Sequence, residues 1–288
     1  MARIIGGLTT SHVPSIGKAI AQKEQESPYW KPFFDAFKPA HEWLARETPD
    51  VAGVIYNDHG LNNFLDKMPT FAIGAAAEYH NADEGWGIPV LKPFRGHPKL
   101  SWHIIESLVA DEFDITMCQE VLVDHAFTLP MALMYPGNID WPVATVPVML
   151  NSVQHPLPTA RRCYKLGQAI GRAIDSFPED IKVVLLGTGG LSHQLDGKRA
   201  GFINKPFDLW CMDKMRNDPE ALARLSNHEI VEKAGSQGVE LMTWIAMRAA
   251  MTGRVKELHA TYHVPISNTG GAVMLFENNP QPHAIAAE

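Results

Sequence analysis

Val51-Ala52-Gly53-Val54-Ile55-Tyr56-Asn57-Asp58-His59-Gly60 is the stretch that decides the fold. It runs without a charged side chain to Tyr56, then passes at once into polar turn formers. A strand with one wet face alternates apolar and polar residues. An uninterrupted run of this kind suits a strand covered on both sides. Arg3–Leu8, Ala144–Leu150, Lys182–Leu186 and Ala272–Phe276 have the same character. Between them lie segments with helical spacing, clearest in Ala160–Phe177, where Cys163, Leu166, Ile170, Ile174 and Phe177 recur at three- and four-residue steps. Leu100–Phe113, Pro206–Met215 and Val239–Met251 are similar. Strands alternating with helices predict an α/β fold with a mainly parallel central sheet flanked by helices.

Bulk properties narrow the function. The 288 residues suffice for one large domain, and no repeat or linker divides them. Residues 1–276 are therefore expected to form a single catalytic domain, with 277–288, which carry two prolines, as a loose tail. A net charge of −7, with no basic cluster beyond Arg161-Arg162, argues against a nucleic-acid partner. No apolar run approaches the ~18 residues that span a bilayer, and the opening residues do not form a signal peptide. Cys118, Cys163 and Cys211 form no Cys-x-x-Cys pair, so neither a disulfide framework nor a zinc-thiolate site is suggested. These features together predict a cytoplasmic protein without a membrane association.

The histidines carry the chemistry. His12, His59 and His193 each stand just past an expected strand, and His125 lies between a helix-like stretch and the next. Ligands of open α/β sheets bind at the carboxyl ends of strands. One histidine there is ordinarily a loop residue, but three placed alike outline a metal or proton-transfer site. Glu240 is the carboxylate candidate. Ser236 reads as an N-cap, so that Glu240 falls in the first helical turn, where an acid also simply complements the helix dipole. Two histidines and a carboxylate with open positions suit non-haem iron(II), and the same ligand types can hold catalytic zinc. Spacing alone does not choose between them. Gly187-Thr188-Gly189-Gly190 matches neither a dinucleotide fingerprint nor a P-loop and reads as a close backbone approach. No Gly-x-Ser-x-Gly elbow is present. Periodicity assigns no role to Asp83-Glu84-Gly85-Trp86-Gly87.

Seven fragments, in order and at compatible spacing, resemble the LigB-like extradiol ring-cleaving dioxygenases. They are Thr10-Ser11-His12-Val13-Pro14, Asn57-Asp58-His59, Ala82-Asp83-Glu84-Gly85-Trp86-Gly87, Val123-Asp124-His125, the run Gly187–Gln194, Gly238-Val239-Glu240, and the run Tyr262–Thr269. The likeness extends from Met1 to about Phe276 and is strongest to the β subunit of protocatechuate 4,5-dioxygenases and to gallate dioxygenases. It implies that His12, His59 and Glu240 bind Fe(2+), that His193 is the catalytic acid/base, that His125 lines the pocket as a second catalytic residue stabilising charge that develops on oxygen, and that Asn57 and Ser267 contact substrate. It further implies cleavage of a carboxylated catechol with O2, with protocatechuate 4,5-cleavage expected first and gallate or 3-O-methylgallate as alternatives. By analogy with other metal sites, Asp58 or Asp124 is a candidate to orient a histidine.

The departures bear on substrate and partners. Ala126-Phe127 and Gly60-Leu61-Asn62-Asn63 differ from protocatechuate enzymes, whereas Arg3–Leu8 and Ala160–Gln168 look more like gallate dioxygenases. Gallate dioxygenases carry a fused helical lid that this sequence does not show. The resemblance thus implies a separate small helical lid subunit in an α2β2 assembly, or a homodimer that closes its own pocket. A metal-dependent hydrolase on the same ligands is the rival enzyme reading. A binding protein without turnover is the rival from another class, and fold alone would not exclude it.

Overall fold

The computed structural model describes residues 1–85, 87–137, 140–251, 254–266 and 268–279. Its strands are β1 (Arg3–Thr10), β2 (Val51–Tyr56), β3 (Phe71–Gly74), β4 (Glu78–Asn81), β5 (Phe94–Arg95), β6 (Thr116–Cys118), β7 (Leu122–Val123), β8 (Ala144–Leu150), β9 (Lys182–Thr188), β10 (Arg254–Ile266) and β11 (Thr269–Asn279). Its helices are α1 (Pro14–Ala21), α2 (Lys31–Asp35), α3 (Lys38–Glu47), α4 (Pro98–Ala110), α5 (His125–Met134), α6 (Ala160–Ser176), α7 (Lys205–Asn217), α8 (Pro219–Ala223), α9 (Asn227–Ala234) and α10 (Leu241–Ala250).

The main sheet has the order β10-β11-β1-β9-β2-β8-β3-β6. Its centre, β1-β9-β2-β8, is parallel throughout. The flanks are mixed: β11 joins β1 antiparallel and continues into the β10 hairpin, while β3 meets β8 antiparallel. The α/β expectation therefore holds, with an antiparallel hairpin added at one edge. β4, β5 and β7 form a small separate sheet.

Strand alternation divides the core into two layers. Val51, Ile55, Val183 and Leu185 point to the face covered by α4, α6 and α10. Val54, Tyr56, Val184 and Leu186 point to the face covered by α1, α3 and α5. That is why β2, β8 and β9 read as continuous apolar runs: neither face touches water. α6 starts where the Thr159 side chain accepts from the Arg162 amide at 3.2 Å. Its Gly167 and Gly171 lie one turn apart against the backbone of α10, where an added Cβ would strike the carbonyl oxygens of Ala246 and Ala250. This close approach holds α10 against β9 and α6, and so places the turn that precedes it.

Two local expectations are corrected. Glu277–Asn279 continue β11 rather than opening a loose tail, because they pair with Arg254–Lys256 of β10; the rest of the expected tail lies outside the described residues. Ser236 is not a cap. Its hydroxyl donates to Gln237 Oε1 at 2.8 Å, and a short 3-10 turn, Gly238–Glu240, leads into α10. Among the described residues no helix is long and apolar enough to cross a membrane.

Candidate metal centre

β1, β9 and β2 are neighbours in the sheet and run the same way, so their carboxyl ends lie side by side. His12, His193 and His59 follow those ends directly. His125 arrives from another direction as the first residue of α5, whose N-cap is Asp124. Glu240 comes from the turn before α10. His12, His59, His125, His193 and Glu240 all line one cavity of about 620 Å3.

Each imidazole is held through Nδ1. His59 Nδ1 lies 2.9 Å from Asp124 Oδ2, which also accepts from the His59 amide at 2.9 Å. His125 Nδ1 lies 2.6 Å from Glu84 Oε1, and the His125 amide donates to Glu84 Oε2 at 2.6 Å. His193 Nδ1 lies 3.0 Å from the Asn268 carbonyl and 2.8 Å from the Thr269 hydroxyl. Carboxylates and carbonyls only accept, so in these three rings Nδ1 carries the proton, and in the neutral ring Nε2 carries the lone pair. His12 Nδ1 lies 3.2 Å from the Thr188 hydroxyl.

Glu240 sits among these lone pairs. Its Oε1 is 3.5 Å from His12 Nε2, 3.6 Å from His59 Nε2 and 3.5 Å from Asn57 Nδ2. Its Oε2 accepts from the Gly190 amide at 3.0 Å. That approach explains the glycine turn: Gly189 has φ +107°, and a Cβ there would lie 2.8 Å from Glu240 Oε2 and 3.0 Å from His12 Cε1. Burial alone would push the Glu240 carboxyl up, but His12 and His59 beside it hold it well below the usual carboxylate range. At His12 burial outweighs the attraction of Glu240 and lowers that ring.

His12 Nε2 is buried and, among the described residues, has no hydrogen-bond partner. A buried nitrogen lone pair left unbonded is costly unless something else binds it. Ligand atoms about 2.0–2.2 Å from a first-row metal stand roughly 3–3.5 Å apart, close to the spacing from Glu240 Oε1 to both Nε2 atoms. His12, His59 and His125 also each offer a ligand atom within 4.8 Å of the others. The cluster thus fits a divalent metal ion, and it includes His125, which the sequence reading placed as a catalytic pocket residue and not as a ligand.

Asn57 is fully buried, and its Nδ2 lies 3.1 Å from His59 Nε2. Ser267 lies outside the described residues. Asp124, not Asp58, orients a histidine. It reaches His59 across 65 positions, while Asp58 accepts from the amides of Gly60, Leu61, Asn62 and Asn63 and so folds the loop after His59. Sequence reading noted the segment that holds Glu84 but gave this residue no role. Ser152, His155 and Gln237, which also line the cavity, were missed.

The structural likeness is broad. An uncharacterised protein of Escherichia coli K12 shares the fold with a TM-score of 0.57 at 13% identity, over 94% of this chain and 99% of that one. The gallate dioxygenase of Pseudomonas putida is 45% identical over 200 residues, a match covering 69% of this chain and 58% of that protein. The chain therefore spans less than two thirds of that relative's length. A 2,3-dihydroxyphenylpropionate/2,3-dihydroxicinnamic acid 1,2-dioxygenase of Pseudomonas putida is 34% identical over 269 residues, covering 77% of this chain and 83% of that one. The family described as the catalytic LigB subunit of aromatic ring-opening dioxygenase matches residues 6–274. With the family match running from β1 into β11 and enclosing the whole histidine and glutamate cluster, the chain belongs to the LigB family of aromatic ring-opening dioxygenases.

Proposed function

We propose that this protein is a non-haem iron(II) dioxygenase that opens the ring of a carboxylated catechol beside its hydroxyls, with gallate as the first substrate to test. The observation that carries this reading is the convergence of the His12 and His59 Nε2 atoms on Glu240 Oε1, at 3.5 and 3.6 Å, inside a buried cavity. Two imidazoles and one carboxylate on one side leave the other side open to a chelating substrate and to oxygen. Gallate takes precedence over protocatechuate, the first expectation from sequence, because the gallate dioxygenase shares 45% of aligned residues.

An iron(II) ion held by His12, His59 and Glu240 supplies the redox and Lewis-acid chemistry of ring opening with dioxygen. The chain's own residues handle protons and position. A catechol must lose protons to chelate, and His193 Nε2, with its lone pair facing the cavity, takes one. Glu84 fixes His125 Nδ1 as a donor, so the His125 ring meets the substrate side in one orientation. The Asn57 amide, bonded to both Glu240 and His59, keeps those two ligands in register. Among the described residues no Lys or Arg lines the cavity, so the substrate carboxylate is met by neutral donors such as Gln237 and Ser152. Exposed apolar side chains at the rim, Val153 at 49% and Leu195 at 54% exposure, favour a covering segment or subunit over this mouth.

The test is anaerobic loading with iron(II), then oxygen uptake and absorbance with gallate, 3-O-methylgallate and protocatechuate. Equimolar consumption of oxygen and gallate, with loss of the aromatic band, is the expected result. Bound iron with no oxygen uptake on any of the three would overturn the reading and favour hydrolysis on the same ligands.

A further inference from the structure

A second cavity, of about 740 Å3, lies away from the metal centre between α6, α7 and α10. Arg172, Arg216 and Arg248 line it together with Gln168, Asn217 and Tyr164. Two of the three guanidiniums are already neutralised. Arg172 Nη2 lies 2.7 Å from Asp111 Oδ2, and Arg216 Nε lies 2.6 Å from Glu257 Oε2. Arg248 differs from both. It is only 6% exposed, yet it has no carboxylate partner among the described residues. Its Nε donates to the Met215 carbonyl in the last turn of α7 at 2.8 Å.

A plain helix cap would account for that one bond. It does not account for the rest of the group. A guanidinium has five N–H bonds in a planar fork and keeps its charge in any protein. Nε uses one of them, and among the described residues Nη1 and Nη2 donate to nothing. Those nitrogens open onto the cavity, and their fork geometry matches the two oxygens of a carboxylate or phosphate. The apolar atoms of Ala249, Met251 and Val255 complete the wall, and the volume lies within the usual range of small-molecule pockets.

We infer that this cavity is a binding site for a small organic anion, one carrying a carboxylate or phosphate head on Arg248 and an apolar body against Ala249, Met251 and Val255. The site is separate from the metal centre. Arg248 lies eight residues beyond Glu240 along the start and body of α10, about 12 Å at the helical rise. The inference rests on this geometry and does not depend on the reaction at the metal centre.

The experiment titrates the metal-free full chain with benzoate, phenyl phosphate and inorganic phosphate by calorimetry. Saturable binding of benzoate or phenyl phosphate, at one molecule per chain, is expected. Arg248→Gln is expected to weaken it at least tenfold, and Arg248→Lys, which lacks the fork, to restore it only in part. Arg216→Gln, a part-exposed change that leaves the helix packing in place, should weaken it about threefold and serves if the Arg248 variants do not fold. His193→Ala should leave it unchanged. Tighter binding of benzoate identifies the head as a carboxylate, and tighter binding of phenyl phosphate identifies it as a phosphate. Absence of saturable binding for all three probes overturns the inference. Binding that survives both arginine changes, or that disappears in His193→Ala, overturns it too.

Discussion

Asp124→Asn tests how the site is built. In the parent, Asp124 Oδ2 accepts from the His59 amide and from His59 Nδ1, each at 2.9 Å, and Oδ1 accepts from the Ala126 amide at 3.0 Å. The carboxylate is fully buried. Burial alone would push its pKa up, and the His59 ring beside it holds it down instead. Asparagine offers one acceptor oxygen. If that oxygen keeps both His59 bonds, each falls from charge-assisted to neutral, a loss of about 1 kcal/mol apiece. The new NH2 then faces the Ala126 N–H, so the α5 cap is lost at about 1 kcal/mol more. The sum is about 3 kcal/mol of stability, with the His59 ring freed to turn and metal affinity down by about 10- to 100-fold. Urea unfolding of the metal-free chain measures the first quantity, and competition against a chelator measures the second. A variant less than about 1 kcal/mol weaker that also binds metal within threefold of the parent would refute the argument that Asp124 orients His59.

Other residues make separate predictions. Asp208 accepts from the Ser192 amide and hydroxyl and from the Tyr262 hydroxyl, with no cation beside it, and burial raises its pKa to about 6. Between about pH 4 and 6 the folded state then binds more protons than the unfolded state, so this group makes stability fall as pH rises. In Asp208→Asn the Tyr262 hydroxyl can turn to accept, and the stability difference between variant and parent should move toward the variant by about 2–3 kcal/mol over that window. A pH-independent difference in paired urea titrations would contradict this. Gly189→Ala places a Cβ against Glu240 and His12 at a φ of +107°. It should abolish tight metal binding, and retention of parental affinity would show that the turn can shift.

How far the sequence was legible depended on where water reaches the chain. β2 and β8 were delimited to the residue because both faces of each strand are buried and apolar, and polar residues begin where each strand ends. β10 went unseen. Arg254–Ile266 is an edge strand with half-buried positions and two register shifts, so Lys256, Glu257, His259 and Tyr262 break any period of two. The histidines were found because they follow buried strands. Glu84 was not, because a carboxylate in a Gly-rich turn looks the same whether it meets solvent or His125. Asp124 posed a subtler difficulty. It was one of two candidates to orient a histidine, and the fold shows that the ring it serves is His59, 65 positions away, just past the end of β2.

The place of β1 in the sheet has a consequence for how the chain is made. β1 and His12 precede every other strand of the sheet in the sequence, yet β1 pairs with β9 on one side and with β11 on the other. At ordinary ribosomal rates of about 5–20 residues per second, the opening strand waits tens of seconds for both neighbours. Until then its apolar residues have no sheet to join, and the three groups of the cluster, His12, His59 and Glu240, cannot be assembled. Assembly of the cluster is accordingly late, and a nascent chain would depend on protection of β1 until β9 and β11 have left the ribosome.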